Sequence, residues 1–130
     1  MKVVIDSPRL IAKIGSLGCR EPSPGNLSRV WVVNIIKDDA NFFAQWLVYY
    51  LSVGADKILL YDNDSIDHIA ETVSPFVEAG LLDYEVVHGR NIIIYCYREA
   101  LRKAKANGVT WLVQADNDEY IVLPGYCLHG

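Results

Sequence analysis

Four short apolar runs, each stopped by polar residues and followed by a stretch of helical spacing or a turn, limit what this chain can become. The first, Val30 to Ile36 (VWVVNII), is rich in β-branched residues and fills consecutive rather than alternate positions, the pattern of a strand buried on both faces. Lys37, Asp38 and Asp39 stop it, and either aspartate can cap the helix that follows. That helix is expected from about Ala40 to Val53, because Phe43, Trp46, Leu47, Tyr50 and Leu51 recur at spacings of three and four and Gly54 ends the pattern. Lys57 to Tyr61 (KILLY) reads as a second strand, stopped by Asp62, Asn63 and Asp64. A helical stretch over Ile66 to Val73 is expected to break at Pro75, whose ring and missing N–H oppose a helix interior. Leu82 to Val87 is the third strand, stopped by His88, Gly89 and Arg90. The next helix, Ile92 to Ala106, carries an apolar face of Ile93, Cys96, Tyr97, Ala100, Leu101 and Ala104. Trp111 to Val113 is the fourth strand, again apolar at consecutive positions and so expected to be buried, with Trp31, Trp46 and Trp111 in the core.

Strand and helix alternate throughout, so right-handed crossovers should give a mainly parallel sheet with helices on both faces. The fold class expected is α/β, a Rossmann-like three-layer α/β/α sandwich. Residues 1–28, with Gly15, Gly18, Pro22, Pro24 and Gly25, read as an irregular N-terminal extension, and residues 29–130 as the domain. A length of 130 residues suits one domain, and a net charge of -4 argues against nucleic acid or an anionic membrane as partner. No apolar stretch is long enough to span a bilayer, and three cysteines without metal-ligand spacing suggest reduced thiols in a cytoplasmic setting.

In an open parallel sheet the carboxyl ends of the strands line the ligand crevice. All four runs deliver polar residues there, and the last delivers Asp116, Asn117, Asp118 and Glu119. In an extended chain Asp116 and Asp118 project to one side and Asn117 to the other. Two unit charges about 4 Å apart repel by roughly 4 kcal/mol at an effective dielectric near 20. Either one acid takes a proton, or a hard cation such as Mg or Mn sits between them, often shared with phosphate oxygens. The competing reading is a solvated Asp-Asn turn without a ligand. Four polar tips along one edge point to a nucleotide, with acids for base or ribose hydroxyls. The glycine-rich phosphate loops G-x-G-x-x-G and G-x-x-x-x-G-K-[ST] are absent, so a cation would have to neutralise bound phosphates.

The segments NIIKDDANFFAQWLVYYLSVGADKILLYDNDSID, FVEAGLL and WLVQADNDEYIV resemble glycosyltransferases of type A fold, the superfamily 2 type with its family 92 (DUF23) relatives. The resemblance implies a metal-dependent transfer of sugar from a nucleotide-diphosphate donor, UDP- or GDP-linked, to a glycan or other acceptor hydroxyl. Carried over by residue, Asp116 and Asp118 would hold Mn or Mg against the diphosphate, with Glu119 supporting their loop. Asp39, Asp62, Asn63 and Asp64 would stand near the nucleoside, and Arg90 or Asn91 would contact uracil or phosphate. Asp39 stands where the family has Glu, Gln45 replaces the Glu before Trp46, and Tyr50 stands where His is common. The family's base comes from the half of the domain after the acidic motif, so the chain looks like a truncated, donor-binding N-terminal half; the catalytic residue is unknown, and Glu119 is a weak candidate.

Two other readings compete. A nucleotide-sugar-binding module without transfer activity would keep the same edge. A haloacid dehalogenase-like phosphatase would use Asp62 of ILLYDNDSID as nucleophile and Asp64 as acid.

Overall fold

Once an apolar run leaves water, its backbone N–H and C=O groups need partners, and neighbouring runs supply them. The structure, a computed structural model, describes residues 29–122; the expected extension over residues 1–28, Cys19, Cys127 and the chain from Leu123 onward lie outside the described residues. Four strands form: β1 (Val30–Ile36), β2 (Lys57–Asp62), β3 (Leu82–Val86) and β4 (Trp111–Gln114). Three helices alternate with them: α1 (Ala40–Ser52), α2 (Ile69–Glu78) and α3 (Ile93–Ala106). All pairings are parallel, in the order β3-β2-β1-β4. The sheet therefore grows outward in both directions from β1, and its order reverses between β1 and β4.

Alternation along β1 divides the core. Val32 and Ile36 pack against α1 and α2 with Phe43, Trp46, Leu47, Tyr50, Val73 and Phe76. Trp31 and Val33 pack on the opposite face against α3, through Cys96, Ala100 and Ala104. The result is the expected three-layer, Rossmann-like arrangement. Gly54 ends α1 with φ 109, a conformation that only glycine adopts cheaply. No described helix is long and apolar enough to cross a membrane, and Cys96 is buried as a free thiol.

Four expectations need correction. Pro75 does not break the second helix, which runs unbroken from Ile69 to Glu78. Val73 and Phe76 flank the proline and are fully buried, so packing on both sides outweighs the roughly 3 kcal/mol that an interior proline costs. The same helix starts at Ile69 rather than Ile66, which is 93% exposed. On α3, Ile93 and Leu101 point to solvent, and the buried stripe is the narrower Cys96, Ala100 and Ala104. Tyr97 is partly buried against the same cluster. Finally, β4 is an edge strand, not a buried one. It pairs only with β1 among the described residues, so Trp111 is 64% exposed while Trp31 and Trp46 lie in the core.

Candidate functional site

The order reversal between β1 and β4 leaves the loops from their carboxyl ends diverging, and this is where an open α/β sheet forms its crevice. A cleft of about 490 Å³ lies there, lined by Ile35, Asp39, Phe42, Asp116, Asn117 and Asp118. The β1 end thus supplies one wall and the acidic segment after β4 the other.

That segment is a tight turn rather than extended chain. Glu119 N donates to Asp116 O at 2.9 Å, and Asp116 N donates to Glu119 Oε1 at 3.0 Å, so the two ends of the turn bond reciprocally. The turn, not strand alternation, brings ligand atoms of Asp116, Asp118 and Glu119 within 4.8 Å of one another. Partial burial raises the Asp116 pKa above its ordinary value, and the carboxylates of Glu119 and Asp118 raise it further. Gln114 Nε2 donates to Asp116 Oδ1 at 2.8 Å and opposes the shift in part. Three hard oxygen donors at this separation fit a Mg- or Mn-sized ion, although exposed acids also gather without one.

Helix α1 fixes the chain beyond the turn. The buried Tyr50 hydroxyl donates to Glu119 O at 2.9 Å and accepts from Ile121 N at 3.1 Å, while Tyr49 Oη donates to Ile121 O. Tyr120 packs against both tyrosine rings. Beneath the turn, Asn34 of β1 donates through Nδ2 to Asn117 Oδ1. Sequence reading assigned no role to Asn34, Tyr49, Phe42 or Asn117. The signal for Asn34 was present: it is the one non-apolar residue in the β1 run.

The remaining nucleotide-site candidates divide. Asp39 faces the cleft and also a smaller one of about 290 Å³ beside it, shared with Asp38, Phe42, Asp67 and His68. It flanks α1 without a side-chain capping bond; the Ala40 N–H is satisfied by Asp67 Oδ2 at 3.0 Å instead, and Asp67 Oδ1 accepts from Ile69 N at 3.2 Å. Asp62 is 2% exposed, with Oδ1 accepting from Ser65 N at 2.9 Å and Oδ2 from Tyr84 Oη. Asn63 Nδ2 donates to Val87 O and Gly89 O at 2.8 and 2.9 Å. Asp64 accepts from His88 Nδ1 and from Gly89 N, and the His88 bond is the main cause of its lowered pKa. These three residues knit the β2 tip to the β3 tip and do not line the cleft. Arg90 and Asn91 are exposed in the loop between β3 and α3, after Gly89 has met the β2 tip, and neither lines the cleft.

Comparison with protein-family models, curated proteins and solved structures finds no match to this chain.

Proposed function

We propose that the cleft between β1 and β4 binds the diphosphate of a nucleotide sugar together with a divalent cation, as part of a metal-dependent glycosyltransferase of type A fold. The observation that carries this reading is the convergence of Asp116, Asp118 and Glu119 where the strand order reverses. The three acids are exposed, but reciprocal bonds join Asp116 to Glu119 and Tyr50 of α1 holds the Glu119 main chain, while burial and the neighbouring carboxylates raise the Asp116 pKa. Asp116 and Asp118 would hold Mn or Mg, with Glu119 as a third oxygen donor beside its role in the turn. The cation supplies charge neutralisation to the departing diphosphate. Asp39, on the facing wall, is placed to accept hydrogen bonds from ribose or sugar hydroxyls, and the exposed Phe42 ring offers an apolar surface beside it.

A binding module without transfer activity is the second reading, favoured by one detail. Glu119, the nominated base, already accepts the Asp116 N–H within the acidic turn, which lowers its value as a proton acceptor for a substrate. The phosphatase reading loses its support, since a nucleophilic Asp62 would need an accessible oxygen and both of its oxygens are bonded inside the protein.

Thermal unfolding with UDP and GDP, with and without Mn, tests the proposal. A ligand at about 100 times its dissociation constant stabilises by roughly 2.7 kcal/mol. The shift should require Mn and vanish in Asp116→Asn/Asp118→Asn; an equal shift in the double variant sinks the assignment. Release of sugar from a UDP- or GDP-linked donor to an acceptor then separates transferase from binding module.

A further inference from the structure

Asn34 sits near the middle of β1 and is 1% exposed. A polar amide there is costly unless it is hydrogen-bonded, whereas valine or leucine would continue the apolar run without that penalty. Its side-chain bond crosses 83 positions of sequence to Asn117 Oδ1, and its own Oδ1 is buried without a partner among the described residues. The amide is thus held under the acidic turn at the expense of full satisfaction in the core.

The position of its partner explains what this achieves. Asn117 is the residue between Asp116 and Asp118, and with its side chain drawn toward β1 the two flanking carboxylates are left at the cleft. The turn must keep three mutually repelling carboxylates within 4.8 Å. Tyr49 and Tyr50 secure only the limb that follows it, from Glu119 to Ile121. The bond from Asn34 ties β1 to the middle of the acidic turn, beside the bond from Gln114 at the end of β4 to Asp116.

We propose that Asn34 is a positioning residue for cation binding: acting through Asn117, it sets the separation of the Asp116 and Asp118 carboxylates before the ion arrives. The inference rests on the cation reading of the cleft. Groups that support metal ligands from behind commonly change metal affinity about 10- to 100-fold when removed.

The test is titration of Mn alone, without nucleotide, followed by the electron paramagnetic resonance signal of the free ion, with thermal unfolding of each metal-free protein alongside. Asn34→Leu and Asn117→Ala should each weaken Mn binding about 10- to 100-fold. Because both remove one bond, the double variant should lose no more than the larger single loss. Val73→Ala, in α2 and away from the cleft, lowers stability and should leave Mn affinity within about twofold. Asn117→Ala alters an incompletely buried side chain and decides the matter if Asn34→Leu does not fold. Wild-type affinity in both single variants overturns the positioning role and leaves the cation reading standing. No Mn binding by the wild-type protein overturns both. A loss in Val73→Ala as large as in Asn34→Leu also overturns the positioning role, since general loosening would then account for it.

Discussion

The carboxyl ends of β2 and β4 carry nearly the same residues, Asp62-Asn63-Asp64 and Asp116-Asn117-Asp118, yet the protein uses them in opposite ways. At β2 the acids meet donors supplied by the fold: Tyr84 and Ser65 for Asp62, His88 and Gly89 for Asp64. At β4 the acids chiefly meet one another. Among the described residues only Asp116 has side-chain help, from Gln114, and its pKa still rises, whereas that of Asp64 falls. The difference follows from neighbours. β2 is an inner strand with the β3 tip beside it, while β4 is an edge strand whose tip opens on the cleft. A D-x-D at a strand end is therefore no sign of a ligand by itself; the sign is acids whose donors the protein does not provide.

The largest loss that could break this contrast is at Asp62. Asp62→Ala removes the acceptor of the partly buried Tyr84 hydroxyl and Ser65 N–H, and about 2 kcal/mol of stability should be lost. Asp118→Ala, on the exposed turn, should stay within about 0.5 kcal/mol. Urea denaturation of the two variants measures both. Similar losses would mean that the β4 turn is as structural as the β2 tip.

The comparable gain is the response to metal. Saturating Mn at about 100 times its dissociation constant should add roughly 2.7 kcal/mol to the wild-type protein and to Asp64→Asn alike. If Asp64→Asn abolishes that gain, the β2 tip is part of the cation site. A smaller effect is expected at the clamp: Tyr50→Phe keeps the ring but loses the bonds to Glu119 and Ile121, so stability should fall by about 1 kcal/mol. No change in the denaturation midpoint would show that the acidic turn needs no anchor from α1.

Local pattern carried much of this arrangement. All four strands and α1 and α3 begin and end within about one residue of the expected positions, because β-branched runs and three-four spacing report local burial directly. What local pattern lacks is the identity of neighbours. The run at Trp111 to Val113 looks as buried as Lys57 to Tyr61, and only the sheet order makes one an edge and the other an interior strand. The same gap hid the fate of the acids, since Asp62 and Asp116 both follow apolar runs and nothing nearby in sequence names Tyr84 as a partner of one. The convergence of Asp116 and Asp118 was anticipated, but through an extended chain; a turn produces it and adds Glu119. Asn34 was legible as an anomaly in its strand, though its partner 83 positions away was not.

The smallest expected effect is the most direct comparison of the two tips, because it differs in sign. For Asp64 the folded pKa lies below the ordinary 3.8, so folding favours its ionised form. Its contribution is present above 3.8 and is lost as pH falls through the lowered value. For Asp116 the folded pKa lies above 3.8, so folding favours the protonated form. That contribution is present below 3.8 and is lost as pH rises through the raised value, leaving a net electrostatic cost at neutral pH in the absence of metal. Asparagine cannot titrate, so the two replacements should diverge. Relative to wild type, Asp64→Asn should become less stable as pH rises from 3 to 7, and Asp116→Asn should become equal or more stable over the same range. Melting temperatures in metal-free buffer at low ionic strength read both slopes, and salt should shrink them because both groups are exposed to solvent. Slopes of the same sign would mean that the β4 acids are stabilised by the fold as the β2 acids are, and the electrostatic reason for placing a cation between β1 and β4 would be gone.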